Sequence, residues 1–116
     1  MFISKNIEIN KKGHLTFAGM DTVDLATKYG TPLYLIDENR IRERARIYVD
    51  AMKEFFGNNS YPLFAGKALS FKDIYRIIGE EGMGADVVSP GELYTAMNPV
   101  FRFSSTRFFR LVKKSI

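Results

Sequence analysis

The chain contains no cysteine. That excludes disulfides, iron–sulfur clusters and thiolate nucleophiles, and it is uninformative about compartment. Histidine occurs once, at His14. With no second histidine or cysteine nearby, no metal site is expected, and beside its turn His14 reads as a solvated side chain. There is no run of about eighteen apolar residues and no charged-then-apolar leader before a cleavage site, so a membrane span or secretory signal is not expected and the chain reads as cytoplasmic. Residues 97–116 hold no acidic residue but five basic ones, Arg102, Arg107, Arg110, Lys113 and Lys114. Taken from 17 basic residues, those five leave twelve against all 13 acidic ones, so the formal charge of +4 belongs to the tail. The body offers no basic face for a phosphate backbone, and neither a nucleic-acid nor a membrane partner is expected of it.

At 116 residues the chain is the size of one small domain. A closed (β/α)8 barrel takes about 250 residues, so this chain can hold only the opening units of one.

What is present is organised around residues 61–92. Tyr61-Pro62-Leu63-Phe64-Ala65 is a short apolar run that stops at Gly66, with Lys67 at its end. Ser70-Phe71-Lys72-Asp73 has the form of a capping box, Ile74, Ile77 and Ile78 mark one helical face, and Gly82 is a C-terminal stop. Ala85-Asp86-Val87-Val88 reads as the next strand, and Ser89-Pro90-Gly91-Glu92 as a second capping box with proline at the first helical position. The alternation of strand and helix is the repeat of a parallel α/β fold.

In such folds the loops at the carboxyl ends of the strands carry the chemistry, which makes Lys67, Asp86 and Ser89 the candidate site residues. A lysine released from an apolar strand by a glycine can be desolvated, and desolvation makes an amine a usable Schiff-base nucleophile. The plainer alternatives are an ordinary surface lysine, a strand-end aspartate bonded to the following amides, and, for Ser89 and Glu92, simple helix capping.

Upstream, Ile3 to Asn10 alternates weakly, Lys11-Lys12-Gly13 makes a turn, and His14-Leu15-Thr16-Phe17 is a short strand. Asp21 caps a helix that Gly30 ends. After Thr31-Pro32, Leu33-Tyr34-Leu35-Ile36 reads as a strand. Asp37 caps a long helix to about Phe56 whose expected buried stripe is Ile41, Ala45, Tyr48, Val49, Met52 and Phe55.

HLTFAG from His14, DLATKYGTPLYLIDENRIRERAR, FAGKAL and GMGADVVSPGELYTA together resemble the amino-terminal part of the diaminopimelate decarboxylase family, fold-type III, alanine-racemase-like pyridoxal-phosphate enzymes. The resemblance covers roughly residues 14–97. It implies an incomplete (β/α)8 barrel of opening units over residues 37–97. Residues 1–36 would be a segment joining the family's β-domain, and 98–116 a divergent tail. It further implies that Lys67 bonds covalently to pyridoxal 5'-phosphate, that Asp86 lies close to that lysine and to the cofactor, and that Ser89 lies in the loop beneath. The implied reaction is decarboxylation of meso-diaminopimelate to L-lysine and carbon dioxide by a homodimer. Leu69 departs from the asparagine many relatives carry there. Ornithine or arginine as substrate stays open, as does a non-catalytic binding or regulatory module.

The same resemblance implies missing parts. No glycine follows Gly91, so the family's glycine-rich phosphate loop has no counterpart, nor does the histidine that stacks on the ring, and the chain alone is expected to be inactive. The tail from about Asn98 has two readings. Pro-Val-Phe-Arg can be encoded so that a two-nucleotide shift reads Gly-Phe-Pro, the turn the family places here, which makes the tail an out-of-frame product. The rival is an evolved basic-aromatic arm docking on an acidic surface.

Overall fold

The computed structural model describes residues 4–97 and the backbone of Phe109–Leu111. It divides into two units after Arg40, a point inside one helix. The first unit opens with a three-stranded antiparallel meander, β1 (Ile7–Ile9), β2 (Leu15–Phe17) and β3 (Met20–Asp21), in that order. Ile7 pairs with Phe17 and Thr16 with Asp21. The Asn10 side chain shapes the first turn by accepting from the amides of Lys12 and His14. The second is a two-residue turn in which Ala18 and Gly19 both take positive φ, the twist a tight hairpin requires.

Asp21 then caps α1 (Thr22–Tyr29), its Oδ1 accepting from the amides of Val23 and Asp24. Its other oxygen accepts from Asn10 at 2.7 Å and lies 2.9 Å from His14 Nδ1, so His14 is a partnered, half-buried residue, contrary to the solvated side chain expected of it. Partial burial acts to raise the Asp21 pKa. The bonds from His14, Asn10, Val23 and Asp24 outweigh it and take the carboxyl from 3.8 down to about 2. Because the folded value lies below the unfolded one, the contribution to stability is complete above pH 3.8 and disappears as pH falls toward 2. Amide hydrogen exchange in α1 is therefore expected to accelerate across that window, and Asp21→Asn to remove this part of the pH dependence.

Residues 33–36 have no regular secondary structure, against the strand expected. Their apolar character supplies β propensity only. A strand also needs a neighbour to complete its ladder, and no described strand pairs with these residues. Tyr34 is accordingly 94% exposed.

The second unit takes up most of α2 (Glu38–Phe56) and continues through β4 (Leu63–Ala65), a 3-10 turn (Gly66–Ala68), α3 (Lys72–Glu80), β5 (Gly84–Val87), α4 (Pro90–Met97) and β6 (Phe109–Leu111). The strands are parallel in the order β4-β5-β6, with Ala65 opposite Asp86 and Asp86 opposite Arg110. This is the expected α/β class, with helices connecting parallel strands. The tail thus supplies β6, which the sequence reading did not anticipate; residues 98–108 and 112–116 lie outside those described.

The core of this unit gathers Ala45 and Val49 of α2, Ile74, Tyr75 and Ile78 of α3, Ala85 and Val87 of β5 and Ala96 of α4. Ile41 packs against it as expected, but Tyr48 and Phe55 are exposed. Charge joins α2 to α3: Arg42 bonds Glu80 and Glu81, and Arg46 also grips Glu81. The hydrogen bonds from Arg46 and Arg42 hold the Glu81 carboxyl below its ordinary value. α3 lacks the expected capping box. Its N-cap is Phe71, without a side-chain cap, while Asp73 pairs with Arg76 and Ser70 turns to Tyr75. The other box forms in part: Ser89 Oγ accepts from the Glu92 amide at 3.1 Å, while Glu92 Oε2 accepts at 2.7 Å from the amide of Val88, one residue before the N-cap.

Candidate active site

Because β4 and β5 are parallel, the residues that follow them emerge at one end of the sheet. Lys67 lies in the 3-10 turn directly after β4, Asp86 is the penultimate residue of β5, and Ser89 stands between β5 and α4. The register places Asp86 opposite Ala65, two residues before the lysine. The structure therefore collects all three candidates on neighbouring strand ends, and their states differ.

Lys67 is exposed, on a turn closed by the Leu69 amide donating to the Gly66 carbonyl at 3.1 Å. Asp86 is half-buried, and its Oδ1 is enclosed with no hydrogen-bond partner among the described residues. The expected alternative, a strand-end carboxylate bonded to the amides that follow, leaves that oxygen unexplained. Buried carboxylate oxygens are normally bonded, so an orphan at a strand terminus marks a place where a donor belongs. Ser89 already accepts from the Glu92 amide, so its oxygen serves the helix, and its hydroxyl proton is what it can still offer.

One residue of this region, Tyr75, escapes sequence reading, and Gly66 is legible there only as the end of a strand. Gly66 is buried, and a Cβ placed on it would lie 2.2 Å from Tyr75 Oη and 3.4 Å from the Asp86 carbonyl oxygen. Tyr75 has no exposed surface, stands edge-on to Phe64 with ring centroids 6.4 Å apart, and shares a hydrogen bond of 3.2 Å with Ser70 Oγ. The apolar spacing of α3 marks Ile74, Ile77 and Ile78 and does not single out Tyr75.

Two parallel strands joined by a helix thus carry, at adjacent strand ends, a lysine and a carboxylate oxygen with no partner among the described residues, at the end of the sheet where α/β folds place their functional loops. No protein-family model matches the chain. The diaminopimelate decarboxylase of Bacillus methanolicus is 45% identical over 97 residues, which is 84% of this chain and 22% of that protein. That of Methanothermobacter thermautotrophicus is 50% identical over 95 residues, 79% of this chain and 21% of that protein. Among solved structures, diaminopimelate decarboxylase from M. jannaschii in co-complex with L-lysine superposes with a TM-score of 0.66 at 38% identity, over 79% of this chain and 22% of that one. The chain is homologous to diaminopimelate decarboxylases over about four-fifths of its length, and spans about a fifth of theirs. No described helix is long and apolar enough to cross a membrane.

Proposed function

We propose that Lys67 holds pyridoxal 5'-phosphate through its amine, and that the chain contributes to decarboxylation of meso-2,6-diaminopimelate to L-lysine and carbon dioxide within a (β/α)8 barrel. The observation that carries the reading is the Asp86 Oδ1, without a hydrogen-bond partner among the described residues, on the strand beside the lysine-bearing turn. The residues fit the aldehyde end of such a cofactor: an amine that solvent can reach, and a carboxylate oxygen in want of a donor. When bound, the cofactor supplies an electron sink for the carbon that loses its carboxylate.

The chain's own residues do the rest of what can be assigned. Lys67 Nζ attaches the group. Asp86 Oδ1 accepts a hydrogen bond at the same end of the sheet. Ser89 orients α4, and its hydroxyl proton is free to be donated toward an anionic group there.

The test is incubation of the purified chain with pyridoxal phosphate, borohydride reduction, and location of the adduct by mass spectrometry, with Lys67→Ala in parallel. One adduct per chain, confined to Lys67 and absent from the variant, is the expected result. Labelling scattered over many lysines and unchanged in Lys67→Ala would overturn the assignment. Asp86→Asn keeps the shape but not the charge. At neutral pH it is expected to weaken cofactor capture by about ten-fold, the scale of one charge-assisted hydrogen bond, as read from the half-saturating cofactor concentration.

A further inference from the structure

Tyr75 is wholly buried on α3, yet its hydroxyl reaches the loop that presents Lys67. We infer that Tyr75 is a positioning residue for Lys67: its hydroxyl fixes both ends of the loop from Gly66 to Ser70. The inference rests on the reading of Lys67 as the cofactor lysine and deepens it.

The phenol oxygen has two neighbours in that loop. It lies 2.2 Å from the point a Cβ would occupy on Gly66, the residue just before the lysine. It also lies 3.2 Å from Ser70 Oγ, three residues after it. One atom thus meets the loop where it leaves β4 and again where it approaches α3. The ring is fixed independently, by the edge-on contact with Phe64 and by burial among Ile74, Ile78 and Val87. The oxygen is therefore a fixed point, and the loop is referenced to the core through it. The hydrogen bond that the Leu69 N–H donates to the Gly66 carbonyl keeps the turn between the two contacts closed, so displacement of either end carries Lys67 with it. A Cβ on the same glycine would also lie 3.4 Å from the Asp86 carbonyl oxygen, so the lysine's turn runs close beside the strand that bears Asp86.

Tyr75→Phe removes the oxygen and keeps the ring. In the full chain, amide exchange over residues 67–70 is expected to rise about five-fold, the equivalent of one neutral hydrogen bond. The ratio of Lys67 to other lysines in the borohydride-trapped adduct is expected to fall by a similar factor, while exchange in α3 and β5 stays as in the parent. Ser70→Ala, which releases one end only, is expected to move both readouts less and in the same direction. Selective labelling in the parent that Tyr75→Phe leaves unchanged would overturn the positioning role and leave the cofactor reading standing. Scattered labelling in the parent would overturn the cofactor reading and the positioning role with it. If Tyr75→Phe also loosens α3, Ser70→Ala decides alone, and unchanged selectivity in that variant overturns the inference.

Discussion

Gly66→Ala is expected to lower the stability of the second unit by about 3 kcal/mol and to abolish selective labelling of Lys67. The added methyl would sit 2.2 Å from Tyr75 Oη, far inside contact distance, and 3.2 Å from the ring carbon that carries it. The ring cannot retreat, because Tyr75 has no exposed surface and Phe64 stands against its edge. Overpacking of a closed core costs about 1–3 kcal/mol, and loss of the Tyr75–Ser70 hydrogen bond adds about 1 kcal/mol. The backbone at Gly66 does not itself require glycine; the demand is spatial. That distinction makes the explanation testable by a second substitution. In Gly66→Ala/Tyr75→Phe the offending oxygen is gone and the nearest remaining atom is the ring carbon at 3.2 Å, a contact that a shift of a few tenths of an ångström relieves. The double variant is expected to be more stable than Gly66→Ala alone, by about 1–2 kcal/mol, a favourable coupling of the kind that neighbouring residues show. Urea melts of the four proteins measure it. If the two substitutions simply add, the collision is not what glycine avoids here.

The same pair of residues shows where sequence reading stops. Gly66 and Lys67 are legible as the end of an apolar strand, and Ser89 with Glu92 as a capping box, because those signals are local: a breaker after a run, or two polar side chains at a spacing that suits one helix terminus. Asp37 and Asp21 are legible as caps for the same reason. Tyr75 is not, since its role depends on a residue nine positions earlier that only the fold brings to it. Ser70 misleads because the capping-box pattern fits, yet its hydroxyl has a competing partner in Tyr75, and the tertiary bond prevails over the local one. Leu33–Ile36 misleads for the opposite reason: the local propensity is correct, and no described partner strand completes it. Family resemblance adds what neither source holds, the chemistry assigned to Lys67 and Asp86. What the structure contributes is an Asp86 Oδ1 with no hydrogen-bond partner among the described residues, the observation on which the proposal rests.

Ile78→Ala is expected to cost about 3–4 kcal/mol, whereas Phe55→Ser, a larger deletion of apolar surface, is expected to change stability by less than about 0.5 kcal/mol. Both side chains lie on helices and both fall on faces that periodicity marks as apolar. Ile78 is 2% exposed and belongs to the cluster that includes Tyr75, Val87 and Ala96, so its truncation leaves a cavity bounded by α3, β5 and α4, with few atoms able to collapse into it. Phe55 is 73% exposed, near the end of α2 and away from the Ala45–Val49 stripe that does the packing. The contrast discriminates between two pictures of the unit. If α2 were held by the full stripe that periodicity suggests, Phe55→Ser would rival Ile78→Ala. If it is held by Ile41, Ala45 and Val49 together with the bridges from Arg42 and Arg46 to Glu81, Phe55→Ser will be nearly silent in a melt and will raise solubility by removing an exposed aromatic surface. In that case the core beneath the Lys67 turn, and not the long helix, sets the stability of the site. Ile78→Ala is then expected to speed amide exchange at residues 66–70 together with α3, where Tyr75→Phe speeds the loop alone.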